Sequence, residues 1–215
     1  MRISERIDAL IQEHSLLKHP FYQAWSDGKL EMDSLAGYSK EYYQLVKAVP
    51  EFMDPLIKLA PEEFKAELMT NRTEESEHIE LWEKFASSIG VEKSQLLAYS
   101  GSEKTRRAVS RLAVLMGTIG VGAAAMYAFE KEIPEISRIK LEGLQEFYGI
   151  NSDDATRYFK LHMESDIRHA ASWRYIIDNA TDSNDDLYNA AVKSVWAQNL
   201  LLDTCFEQYC RNTNL

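Results

Sequence analysis

Apolar side chains recur along this chain at intervals of three and four, the period of a helix that buries one face. Ile7, Leu10, Ile11 and His14 set that pattern in a first helix. A short helical segment from Pro20 to Ser26 stops at Asp27-Gly28, a helix-ending signal. Asp33 reads as the N-cap of a long helix carrying Tyr38, Tyr42, Leu45 and Val49, with bends expected at Pro50 and Pro55. Pro61-Glu62-Glu63 opens the next helix with proline at N1 and acids in its first turn, and Gly90 stands where a C′ residue belongs. After a short helix from Lys93 to Tyr99, one very long helical stretch runs from Ser102 to Tyr148-Gly149, interrupted near Pro134. Ser152-Asp153-Asp154 starts another helix reaching about Asp178, and a last one spans Ser183 to Tyr209. No segment alternates as a strand does. The pattern predicts an all-α fold, an up-and-down bundle of seven or eight helices. With only nine Gly, five Pro and no linker-like segment, residues 1–215 are expected to form a single domain.

Composition narrows the function. A chain of 215 residues that is 45% apolar can build a core without disulfides. The net charge is -10 and the 24 Lys and Arg are scattered, so no basic stripe exists for nucleic acid or an anionic membrane surface. The uncharged run from Leu112 to Phe129 borders on the length of a membrane span. It holds Gly117, Gly120, Gly122 and three consecutive alanines, with charged helix on both sides, and reads as a buried bundle helix. Cys205 and Cys210 are five apart, pointing different ways on a helix, so two free thiols and a reducing cytoplasm are expected. The N-terminal residues lack the apolar stretch of a secretory signal.

The chemistry gathers in the histidines. His162, Asp166 and His169 are separated by four and three residues and share one helix face. Two imidazoles and a carboxylate aimed at one point suit iron, manganese or zinc; the alternative is a solvated polar stripe. Glu75 and His78 form Glu-x-x-His, the pairing by which di-iron bundles place two ligands on one inward face, although Glu74 is also within a turn of His78. Glu130 directly follows the most apolar segment, where a charge is costly unless it is paired, metal-bound or emerging into water. Three helices thus offer three imidazoles and three carboxylates, enough for two metal ions with open positions for dioxygen.

This combination resembles the heme-oxygenase-like di-metal oxidases, within the superfamily of TENA/THI-4/PqqC-like proteins. It is most similar to the CADD-like branch (chlamydia protein associating with death domains) of para-aminobenzoate synthases. The likeness runs through His19-Pro-Phe-Tyr22-x-x-Trp25, Tyr38-x3-Tyr42-Tyr43, Lys47-Ala-x-Pro50, His78-Ile-Glu-Leu-Trp82, Tyr127-x-x-Glu130-x-x-Ile-Pro134 and Tyr158-Phe-x-x-His162-x3-Asp166-x-Arg-His169. The chain departs from the branch where Glu75 and His78 lie nearly adjacent, without a longer insert, which leaves Glu74 or Glu75 open as the ligand. The resemblance implies a heme-oxygenase-like fold and a metal pair, Fe/Fe or Fe/Mn, that works with O2 and an external reductant in the folate pathway. It further implies that Tyr22 is cut out as the aromatic product, that Lys140 supplies the amino nitrogen, and that Tyr38 is a nearby redox-active tyrosine.

Three other functions compete. A related di-metal oxidase would turn over repeatedly on an external fatty acid or amino acid. A thiaminase-like relative would need a cysteine nucleophile in the core, whereas both cysteines here fall in the last helix. A non-enzymatic helical interaction protein would have no use for three clustered histidines. Oligomeric state is unassigned, a homodimer being one option.

Overall fold

A computed structural model describes residues 1–210, and these fold into ten α-helices and one 3-10 turn. In chain order they are α1 (Ile3–Glu13), the turn Leu16–Lys18, α2 (Pro20–Ser26), α3 (Met32–Leu59), α4 (Glu62–Ser88) and α5 (Lys93–Ala98). There follow α6 (Glu103–Ala113), α7 (Ile119–Glu130), α8 (Ile133–Glu146), α9 (Asp153–Asp178) and α10 (Asn184–Tyr209). The all-α expectation holds, and no strand occurs among the described residues. The count reaches ten because the stretch from Ser102 to Tyr148 is three helices. Its first break falls before Thr118, whose side chain accepts from the Val121 amide and starts α7 afresh.

Other helix ends follow local chemistry. Ser102, Ser152 and Ser183 are N-caps whose side chains accept from the amide three residues on. Gly90 takes a φ of +84 beyond α4, which only glycine adopts freely. Two expectations shift by a residue or two. The N-cap of α3 is Glu31, leaving Asp33 inside the first turn, where its charge still faces the helix dipole. Pro61 is the N-cap of α4, not N1. Helix α3 continues through Pro50 and Pro55. Cys205 and Cys210 are buried and form no disulfide among the described residues, and no described helix is long and apolar enough to cross a membrane.

The packing centres on α7 and α9. Helix α7 is buried along nearly its whole length, as an all-round apolar helix must be. It lies against α10 on one side and α9 on the other, and α9 also packs on α8 and α4. Gly122 on α7 occupies the spot where Leu56 of α3 comes so close that a Cβ would collide with it. On α4 the buried stripe is Leu68, Asn71, Glu75, His78, Trp82 and Phe85, and on α9 it is Phe159, His162, Asp166, His169 and Trp173. Polar residues thus occupy the middle of two core stripes that face each other.

Candidate metal centre

Glu75 and His78 of α4, Glu130 at the end of α7, and His162, Asp166 and His169 of α9 are all buried, none more than 8% exposed. Their ligand atoms converge. Glu75, His78 and His162 each offer an atom within 4.8 Å of the others, and so do Glu75, Asp166 and His169. Glu75 belongs to both groups and stands 3.4 Å from His78 Nδ1 and 3.6 Å from His169 Nδ1. Glu130, Glu75, His162 and Asp166 line one small cavity with Tyr42, Tyr158, Phe129 and four aliphatic residues. The structure therefore brings all six predicted residues together.

Outside this cluster, hydrogen bonds fix the rings. His162 Nδ1 lies 2.8 Å from the Tyr158 carbonyl, so the proton resides there and Nε2 is left with its lone pair. His169 Nε2 lies 2.8 Å from Glu74, which also pairs with Arg168, so His169 presents an unprotonated Nδ1 inward. The ambiguity between adjacent glutamates is thereby resolved in position: Glu75 faces the cavity, while Glu74 braces a histidine from the outside. Trp173 Nε1 donates to Glu130 at 2.7 Å.

No lysine or arginine lines the cavity. Burial, together with the charges of Asp166 and Glu75, pushes the Glu130 carboxyl well above the usual carboxylate range. Burial and Glu75 do the same to Asp166. Burial and the neighbouring His78 lower His162 to about 3, which keeps it neutral. His169 is likewise lowered by burial. For Glu75, burial is outweighed by the contact with His78 and the surrounding imidazoles, and its carboxyl is held low. Of the four buried polar side-chain atoms without a hydrogen-bond partner among the described residues, three belong to this cluster: His78 Nδ1, His169 Nδ1 and Asp166 Oδ2. Neutral imidazoles, crowded carboxylates and unpartnered lone pairs in one cavity fit metal ions.

A second cavity lies beside the first. Tyr22 of α2 and Lys140 of α8 line it with Tyr42, Tyr158, Ser137, Gln198 and several aliphatic side chains. Tyr22 and Tyr38 hydroxyls are 3.5 Å apart, and Lys140 Nζ donates to Tyr38 at 2.5 Å. Lys140 Nζ also lies 4.8 Å from the centre of the Tyr22 ring, with no carboxylate beside it. Burial lowers its pKa to about 7, where the neutral amine is available as a nucleophile. Burial raises both Tyr22 and Tyr38 above the usual phenol value, so both keep their protons.

The sequence offers Glu74 only as an alternative ligand and Tyr42 and Tyr158 only as parts of wider motifs, not in the positions they take here. A signal existed for the tyrosines, since Tyr42 is one turn beyond Tyr38 and Tyr158 one turn before His162. For Glu74 none did, because spacing cannot tell an inward glutamate from its outward neighbour.

Comparison with known proteins identifies the family and the fold. Residues 36–202 match the sequence profile of the iron-containing redox enzymes. The 4-aminobenzoate synthase of Chlamydia muridarum is 31% identical, over 91% of this chain and 86% of its own length. The protein of the same name from Nitrosomonas europaea is 29% identical, over 97% of this chain and 92% of its own. Among solved structures, a TenA homologue from Pseudomonas syringae superposes with a TM-score of 0.84 at 17% identity, covering 95% of this chain and 93% of that one. A CADD-like protein from Nostoc punctiforme gives 0.76 at 17% identity, covering 96% of each chain. These two likenesses speak for the fold.

Proposed function

The chain belongs to the iron-containing redox enzymes with the heme-oxygenase-like fold, and on that premise we propose that it makes 4-aminobenzoate from its own Tyr22. The observation that carries the proposal is the placement of Tyr22, Tyr38 and Lys140 in a buried cluster directly beside the carboxylate and imidazole cavity. The relatives named 4-aminobenzoate synthase support it further.

The product's own structure says what must change. It is a benzene ring with a carboxyl carbon and a nitrogen para to one another. The tyrosine ring carries Cβ and a hydroxyl in those positions. Tyr22 would be cut between Cα and Cβ, with Cβ oxidised to the carboxyl, and nitrogen would replace the phenol oxygen. Lys140 is the nitrogen donor in this scheme, because its amine lies against the Tyr22 ring and burial favours its neutral form. The phenol oxygen leaves as water when Nζ bonds the ring, and two-electron oxidation by dioxygen then breaks the Lys140 Cε–Nζ bond, leaving Cε as an aldehyde. The Tyr38 hydroxyl, between Lys140 Nζ and the Tyr22 hydroxyl, holds both groups in register and can pass a proton between them.

Glu75, His78, Glu130, His162, Asp166 and His169 would hold the metal pair, Fe/Fe or Fe/Mn, Glu75 being common to both ligand groups. What such a pair supplies is activation of dioxygen, with electrons from an external reductant. Glu74 and the Tyr158 carbonyl orient the imidazoles, and the aromatic and aliphatic walls exclude bulk water.

A second reading has its own support. The second cavity joins apolar walls, among them Leu16, Ile136, Leu201 and Leu202, to a single amine, which suits an external fatty acid or amino acid. One experiment separates the two. Purified protein receives iron, manganese, reductant and oxygen, and its intact mass and any released 4-aminobenzoate are measured. Mass loss localised to Tyr22, matched by product, supports self-sacrifice. An unchanged mass with repeated turnover of an added carboxylic acid supports the alternative.

A further inference from the structure

Tyr22 and Lys140 line the second cavity and not the first, so an oxidising equivalent that arises among the carboxylates and imidazoles must cross a wall to reach them. Four side chains line both cavities: Tyr42, Leu45, Ile133 and Tyr158. Only the two tyrosines can be oxidised and reduced.

Their surroundings differ. The Tyr158 ring packs on His162 at 4.0 Å, His78 at 6.1 Å, Trp82 at 4.7 Å and Phe159 at 5.4 Å, and makes no ring contact with Tyr22 or Tyr38. Tyr42 reaches across. Its ring is 5.3 Å from Tyr38 and 4.9 Å from Lys140 Nζ, while its other side borders the cavity of Glu75, Glu130, His162 and Asp166.

We propose that Tyr42 is the redox relay between the metal cavity and the Tyr22–Tyr38–Lys140 cluster. The proposal rests on the function proposed above. One electron and one proton leave the Tyr42 phenol and are taken up by dioxygen, breaking the O–H bond and leaving a phenoxyl. That phenoxyl regains a hydrogen atom from Tyr38, and Tyr38 regains one from Tyr22 across the 3.5 Å between their hydroxyls. Tyr42 and Tyr38 end unchanged, Tyr22 is oxidised by one electron, and dioxygen is reduced by one. Tyr42 is thus regenerated while Tyr22 is consumed.

The test compares wild type, Tyr42→Phe, and protein with 3-fluorotyrosine at position 42, which keeps the hydroxyl. Four quantities are read: bound iron and manganese, dioxygen uptake, conversion of Tyr22 by peptide mass, and the electron paramagnetic resonance spectrum after rapid freezing. Tyr42→Phe is expected to bind the same metal, while Tyr22 conversion falls by about tenfold or more. The fluorinated protein is expected to restore conversion and to show fluorine hyperfine splitting in its radical signal. Undiminished Tyr22 conversion in Tyr42→Phe overturns the relay and leaves the proposed function standing. Loss of metal from Tyr42→Phe also overturns it, by making Tyr42 a support for the ligands. A wild type that consumes dioxygen and leaves Tyr22 intact overturns both.

Discussion

Replacing Lys140 with methionine should make the metal-free protein more stable while ending 4-aminobenzoate formation. Lys140 is 4% exposed, ringed by Tyr22, Trp25, Tyr38, Tyr42 and Phe159, and has no acidic partner. Its pKa is lowered from 10.5 to about 7 by burial. In the unfolded chain the amine is charged at neutral pH, so folding must desolvate or deprotonate it, at about 4 kcal/mol near pH 7. Methionine fills a similar volume without that cost. The hydrogen bond to Tyr38 and the contacts with ring faces are lost, which returns about 2 kcal/mol. The net gain is about 2 kcal/mol, or roughly 4–8 °C in Tm for a chain of this size.

The pH dependence gives the sharper signature. Between the folded pKa of about 7 and the unfolded value near 10.5, the unfolded wild type binds more protons than the folded form. Wild-type stability therefore rises with pH through that window, and the Lys140→Met protein lacks this contribution. The advantage of the variant should shrink by about 2 kcal/mol between near pH 7 and about pH 9, and so nearly vanish. Urea unfolding of both metal-free proteins at the two pH values measures it. A variant no more stable than wild type at neutral pH, or a gap that ignores pH, would mean that Lys140 keeps its charge at no cost, and the neutral-amine argument would fail.

The two adjacent glutamates should behave differently. Glu75→Gln removes the carboxylate shared by both ligand groups and should abolish tight metal binding, whereas Glu74→Gln should weaken affinity by roughly 10–100-fold, as expected for a bracing group; titration calorimetry with Mn(II) reads both. Glu130→Gln should stabilise the metal-free protein and lose metal. The folded carboxyl is raised, so wild-type metal-free stability falls as pH rises past the ordinary carboxylate range, and in the variant this fall should be smaller. Tyr22→Phe should retain wild-type metal content yet release no 4-aminobenzoate; continued release would assign the aromatic ring to another source.

Much of this was legible in the sequence because helical spacing is a strong rule. The intervals among His162, Asp166 and His169 required a common face, and the caps at Ser102, Ser152 and Ser183 marked where helices begin. Spacing places residues around one helix and says nothing about which helix stands opposite. That α4 and α7 face α9, and that Glu75 and not Glu74 turns inward, depends on packing. Lys140 lies in a charged stretch beside Arg138, yet Arg138 pairs with Glu135 and Glu142 at the surface while Lys140 is buried among aromatic rings. Only family resemblance singled it out. The break ahead of Thr118 went unread because the apolar run crosses it without a charge or proline.

Crystals soaked with Mn(II) and examined by anomalous scattering would test the metal-pair claim most directly. Two ions are expected, one held by Glu75, His78 and His162 and the other by Glu75, Asp166 and His169, with Glu130 completing the set. Anomalous density only at surface carboxylates, with this cavity empty, would contradict the account.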